Sequence, residues 1–215
     1  MTFSCVFKNS LVGLSLLFSS LGFSQQEEVK SLPLGEAVPL TEKELVNIDG
    51  KMMSLKGVSA TNGVLVVFSC NTCPFVVGSD SFEGWEKQYV ELNKFAQENG
   101  FKMVLINSNE GKRDNDDSLE AMKNRAKEKG YTMPYLLDKN SELADAFGAR
   151  TTPHVYLINE KMELIYTGAI DNKVDSKRKS DENYLRIAIE SKVANKPIEL
   201  NSTPPRGCSI KRVKK

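Results

Sequence analysis

The chain has 215 residues, 40% of them hydrophobic and 27% charged, with 29 Lys and Arg against 28 Asp and Glu. That composition supports one ordinary buried core without disulfide staples, and one domain is the default. The near-neutral balance excludes an electrostatic nucleic-acid binder.

In chain order, Lys8 precedes an apolar run from Leu11 to Phe23, and small residues follow it. The pattern predicts a signal peptide over residues 1–24, cut before Gln25, with Gly22 and Ser24 at the two positions a signal peptidase reads. The competing reading is an uncleaved N-terminal anchor, although the run is short for a membrane span. Cleavage would discard Cys5 and Lys8 and leave 28 basic and 28 acidic residues. The mature protein is then expected outside the cytoplasm, periplasmic or extracellular and without membrane contact, where disulfides persist. Residues 25–40 read as a polar lead-in, 41–200 as the folded domain and 201–215 as a tail. Arg206, Lys211, Arg212, Lys214 and Lys215 carry no carboxylate among them there, a pattern of solvated charge.

Within the domain, Asp49-Gly50 lies between two short, partly apolar segments, the signature of a hairpin turn. Val64 to Ser69 is apolar and β-branched and predicts a strand buried on both faces. From Phe82 the stripe Phe82, Trp85, Tyr89, Leu92, Phe95 and Ala96 predicts a helix that Asn99-Gly100 ends. "FKMVLIN" at 101–107 is a second buried strand, and 108–117 is a polar loop. Asp117 and Glu120 then suggest the cap of a helix running to Gly130. A short strand at 134–138, a helix from Ser141 to Phe147, an antiparallel hairpin over 154–170 and a helix around Tyr184 to Val193 complete the domain. Alternating strands and helices followed by a hairpin imply an α/β fold with a mixed sheet covered on both faces.

The chemistry concentrates in "VLVVFSCNTCPFVV", where Cys70 and Cys73 are two residues apart and Pro74 follows. Alone, the spacing fits a zinc knuckle, a structural disulfide or a redox centre. Here it joins a buried strand to the start of a helix. Unsatisfied N–H groups at a helix start favour a thiolate, and the spacing lets one thiol attack a disulfide while the other resolves it. Cys70 is expected to be the more exposed, attacking thiol and Cys73 the resolving one. Because neither Asn71 nor Thr72 is basic, a moderate or reducing potential is expected. The mature chain would hold three cysteines, so Cys208 is left over, either a third redox thiol reaching an oxidised Cys70 from a mobile tail or a bystander.

A distant signal is Thr152-Pro153 at the head of the strand "HVYLIN". Together with "FSCNTCPFV", "LINSN", "YTGAIDN" and the terminal "GCSIK", it makes the chain resemble exported thioredoxin-like proteins of the redoxin group, within the alkyl hydroperoxide reductase and thiol-specific antioxidant superfamily. The resemblance covers roughly residues 40–210. It implies a thioredoxin-like fold, a cis Pro153, and Thr152 offering its backbone to a substrate chain beside Cys70. It implies no cofactor or metal; the partners would be protein or small-molecule disulfides and a thiol electron donor of unstated identity. The buried carboxylate that thioredoxins place six residues before the first cysteine is replaced by Val64, which leaves Asp138 and Glu83 as candidates.

Two rival functions remain at this stage. A peroxidase would oxidise Cys70 to a sulfenic acid and resolve it with Cys73 or Cys208, but the superfamily's peroxidatic pattern wants a Thr or Ser where Val67 stands and a Pro where Gly63 stands. A zinc or copper site could draw on Cys70, Cys73, Cys208 and the single histidine, His154, whose surroundings read more simply as those of a packed strand residue. Phe82 and Trp85 read as core aromatics.

Overall fold

A computed structural model describes residues 1–2 and 30–213. The expected signal segment lies outside the described residues apart from Met1 and Thr2, and so do Lys214 and Lys215. At the centre runs β3 (Gly63–Ser69), with every residue buried. It pairs in parallel with β4 (Phe101–Asn107) on one side and antiparallel with β7 (His154–Ile158) on the other. Outward lie β5 (Tyr135–Leu137), parallel to β4, then β1 (Leu45–Asn47) and β2 (Met52–Met53), and at the opposite edge β8 (Leu164–Gly168). This is the mixed sheet that the alternation of elements implies, and the fold is thioredoxin-like.

Strand periodicity divides the core in two. Leu65 and Val67 of β3, Met103 and Leu105 of β4, and Val155 and Leu157 of β7 face one layer. That layer is completed by α3 (Tyr89–Glu98), α4 (Leu119–Lys129) and α6 (Tyr184–Val193) through Leu92, Met122 and Leu185. Val66, Phe68, Ile106 and Tyr156 face the other, where α1 (Leu55–Val58) and α5 (Glu142–Phe147) add Leu55 and Phe147. Continuous apolar runs were the sign of strands covered on both sides, and these are covered on both sides. No helix among the described residues is long and apolar enough to cross a membrane.

Three expectations need correction. The helix after the dithiol is broken: α2 (Pro74–Val77) makes a single turn and stops at Gly78, and α3 starts only at Tyr89 after a 3-10 turn over Trp85–Gln88. Gly78 and Gly84 adopt φ of 102° and 81°, and a Cβ on Gly84 would lie 2.3 Å from the Gly78 nitrogen. The chain folds back on itself where only glycine fits, so Phe82 continues the stripe in sequence but sits in a loop.

The described part of the lead-in, from residue 30, is packed structure. Leu32, Gly35 and Val38 donate backbone bonds to Phe147, Leu164 and Met162, at 3.2, 2.8 and 2.8 Å, and Val38 joins the core. The tail is packed as well. Thr203 is buried and its hydroxyl accepts the Ala169 N–H at 2.9 Å, Ile210 is only 5% exposed, and Arg212 donates to Asp145 and to the Ala149 carbonyl, both at 2.7 Å.

Candidate active site

Cys70 leaves the end of β3, and Cys73 is the N-cap of α2 with Pro74 at its first position. Thr152 ends β6 (Thr151–Thr152), and the Thr152–Pro153 bond is cis, as the resemblance implies. This loop lies directly over the dithiol. The Thr152 hydroxyl is 3.0 Å from Cys70 Sγ, and the Thr152 carbonyl, 3.0 Å from Cys73 Sγ, accepts from the protonated Cys73 thiol.

The backbone edge of Thr152, expected to be open to a substrate chain, is filled by this chain's own tail. β9 (Cys208–Ser209) pairs antiparallel with β6, with Cys208 opposite Thr152. The Cys208 N–H donates to Cys73 Sγ at 3.2 Å, so the three thiols form one group, and all three are free. The leftover cysteine therefore approaches Cys73 rather than Cys70, from a docked strand. Gly207 makes this approach possible, since a Cβ there would lie 2.2 Å from the Thr152 carbonyl oxygen.

Cys70 and Cys73 are each 3% exposed, so Cys70 is not the more accessible of the pair. Their environments differ instead in hydrogen-bond donors. A hydrogen bond from the Cys70 thiol, supported by the Cys208 thiol and the N–H groups of Cys208 and Phe75, outweighs burial and lowers Cys73 from 9.0 to about 5. The same shared bond, then burial, pushes Cys70 far up, and the neighbouring Asp117 carboxylate adds to the rise. The bond between the two thiols thus acts in opposite directions on them, down for Cys73 and up for Cys70. Cys208 is raised to about 11, first by burial and then by donating to Cys73.

The buried acid near the dithiol is Asp117, which the sequence had suggested only as a helix cap. Ser118 caps α4 in its place, accepting from the Ala121 N–H at 3.2 Å. Asp117 turns inward, fully buried, and accepts from the Asn71 N–H at 2.9 Å, the Asn107 amide at 2.6 Å and the Asn109 amide at 2.9 Å. Tyr135 donates its hydroxyl to the Asn71 side chain at 3.0 Å. Neither earlier candidate occupies this place: Asp138 accepts the Leu143 and Ala144 N–H groups that open α5, and Glu83 is exposed beside Lys87. The only cue available was the density of Asn and Asp over 107–117, which reads equally as an ordinary polar loop.

His154 belongs to the opposite face of the sheet. Its ring packs 4.6 Å from that of Tyr156 and its Nε2 lies 3.3 Å from the Thr167 hydroxyl, while burial pulls its pKa down to about 3. The thiols and the histidine are thus not brought together, and a Cys₃His metal site loses its fourth ligand. Trp85 is fully buried and donates to Asp171 at 2.7 Å, and the half-buried Phe82 packs against it from the loop at the edge of the core. A cavity of about 340 Å³ opens beside Asn71 and Thr72, walled by α4 residues including Arg125.

Comparison with known proteins gives the chain a family and a fold. The family model described as Redoxin matches residues 33–185. Among solved structures, an uncharacterized conserved protein from Geobacillus kaustophilus is 31% identical with a TM-score of 0.76, the match covering 85% of this chain and 94% of that one. A hypothetical protein from Sinorhizobium meliloti 1021 is 29% identical with a TM-score of 0.70, covering 86% and 98%. A putative protein disulfide isomerase from Bacteroides thetaiotaomicron, at 17% identity and a TM-score of 0.53 over 76% and 91%, shares the fold. No curated protein matches the chain.

Proposed function

Because the chain belongs to the Redoxin family, matched over residues 33–185, we propose that it is an exported thiol–disulfide oxidoreductase whose working groups are Cys70 and Cys73. The observation that carries this reading is the buried dithiol against the cis Thr152–Pro153 loop, with one thiol acidified by the other. In thiol–disulfide exchange the thiolate forms a mixed disulfide with the substrate. The second thiol then displaces the substrate as a thiol, and the pair is left as a Cys70–Cys73 disulfide. Its substrates are protein or small-molecule disulfides, and an external thiol donor returns the two electrons.

A Cys70→Ala, Cys73→Ala double variant should lose all reduction of a model disulfide such as insulin. Activity surviving both replacements would remove the proposal. For export, the mature protein recovered outside the cytoplasm should begin at Gln25, whereas an intact N-terminus on a membrane-bound protein would point to an anchor.

Peroxide reduction is the second reading, and one contact supports it. Val67 occupies the position where a peroxidatic hydroxyl is expected, yet the Thr152 hydroxyl stands 3.0 Å from Cys70 Sγ and supplies one from another strand. Peroxide consumption no faster than that of free cysteine would eliminate this reading.

A further inference from the structure

We propose that Cys208 is the thiol through which electrons enter the dithiol, by way of a second disulfide between Cys73 and Cys208. The proposal deepens the oxidoreductase reading above and rests on it.

Access is the first argument. Both members of the dithiol are 3% exposed, while Cys208 is half-buried and is the more exposed of the three cysteines. The Thr152 edge, where an incoming chain would otherwise pair, is occupied by β9 itself. An external thiol approaching this face therefore meets Cys208 first.

Proximity is the second. The Cys208 backbone N–H donates to Cys73 Sγ at 3.2 Å, which holds the Cys208 residue against that sulfur. The strand that carries Cys208 is fixed on both sides of the thiol. Gly207 lies against the Thr152 carbonyl, the Ile210 N–H donates to the Arg150 carbonyl at 3.0 Å, and the Lys211 N–H donates to the Asn109 side chain at 2.9 Å. A thiol held in this way attacks its neighbour as a unimolecular step.

The exchange balances as follows. In the oxidised protein the Cys208 sulfur attacks Cys73 Sγ, the Cys73–Cys208 bond forms, and the Cys70–Cys73 bond breaks. Cys70 leaves with the electron pair and takes up the proton that Cys208 gives up, so no net electrons move in this step. An external dithiol then attacks Cys208 Sγ and releases Cys73. Its second thiol displaces Cys208, and the donor departs as a disulfide having delivered two electrons. Oxidising Cys73 also removes the thiolate to which Cys208 donates, one of the causes that hold the Cys208 proton in place.

The test compares Cys70→Ser and Cys208→Ser proteins in dithiothreitol redox buffers, mapping disulfides by mass spectrometry of peptides. In Cys70→Ser a cross-linked peptide pair containing Cys73 and Cys208 should form. If both thiols stay free at an oxidant level that fully bridges Cys70 and Cys73 in Cys208→Ser, the relay is wrong and the dithiol reading stands. If Cys208→Ser never forms the Cys70–Cys73 bridge, the dithiol reading fails and the relay falls with it. A second measurement does not depend on the Cys70 variant folding: oxidised Cys208→Ser should be reduced by dithiothreitol about tenfold more slowly than the oxidised wild type. Equal rates would overturn the relay.

Discussion

The dithiol lies between two walls built from different chemistry. On one side Asn71 is gripped by the buried Asp117 carboxylate, the Asp116 carbonyl and the Tyr135 hydroxyl from β5, and every bond to Asn71 is N–H···O or O–H···O. On the other, a two-residue strand presents a backbone N–H and a thiol to Cys73. The polar wall can position the motif but cannot exchange a covalent bond with it, whereas the tail can do both. The site combines a fixed side with a reactive one, and each can be disturbed separately.

The largest effect is expected at the fixed wall. Asp117→Asn puts an amide where the Asn71 N–H and the Asn107 and Asn109 amides all donate, so at least one buried donor loses its acceptor. Stability should fall by about 3 kcal/mol, read as a lower urea midpoint, because hydrogen bonds to a buried charge are worth more than neutral ones. Removing the carboxylate also removes its repulsion of a Cys70 thiolate, so the Cys70 pKa should move down in a stable variant. A variant as stable as the wild type would mean that the clamp contributes nothing.

At the reactive wall, Gly207→Ala forces a methyl group to within 2.2 Å of the Thr152 carbonyl oxygen unless β9 shifts. The expected cost is about 2 kcal/mol of stability, the scale of an overpacked site, together with faster alkylation of Cys208. Unchanged Cys208 reactivity would show that the tail can reseat around the extra carbon.

These two walls also mark how much was legible in the sequence. The central strands were legible because a run such as Val64 to Phe68 carries its burial in its own composition. The turn at Asp49-Gly50 and the helix stop at Gly148 were legible because the residues that need positive φ are in place. Cys70, Cys73 and Thr152-Pro153 were identifiable by motif, and the structure brings them together. What pattern reading missed were contacts between residues far apart in the chain that follow no period. Asp117 reaches Asn71 across 46 residues, and the Cys208 N–H reaches Cys73 across 135. A charged tail reads as solvated because composition cannot reveal that Gly207 and Ile210 find a groove for it. The broken helix after the dithiol misled for a different reason. Its apolar stripe keeps helical spacing across the gap, while two glycines in conformations that other residues rarely adopt turn the chain between them.

The smallest predicted effect lies between the walls, at the proton the two buried thiols share. Cys73 titrates near pH 5 chiefly because the Cys70 thiol donates to it, with the Cys208 thiol and N–H as weaker contributors. A depressed pKa means that the thiolate persists above about pH 5 and is lost as the pH falls through that value. Cys70→Ala deletes the main donor and keeps the tail, so the midpoint of the thiolate ultraviolet absorbance should rise by about one pKa unit or more, the worth of a hydrogen bond to a charged group. Cys208→Ala deletes only a thiol and leaves the backbone N–H, so its midpoint should rise less. Should the order be reversed, the tail rather than the partner thiol would be the principal stabiliser of the Cys73 charge, and electrostatic control of the dithiol would belong to the strand that occupies the Thr152 edge.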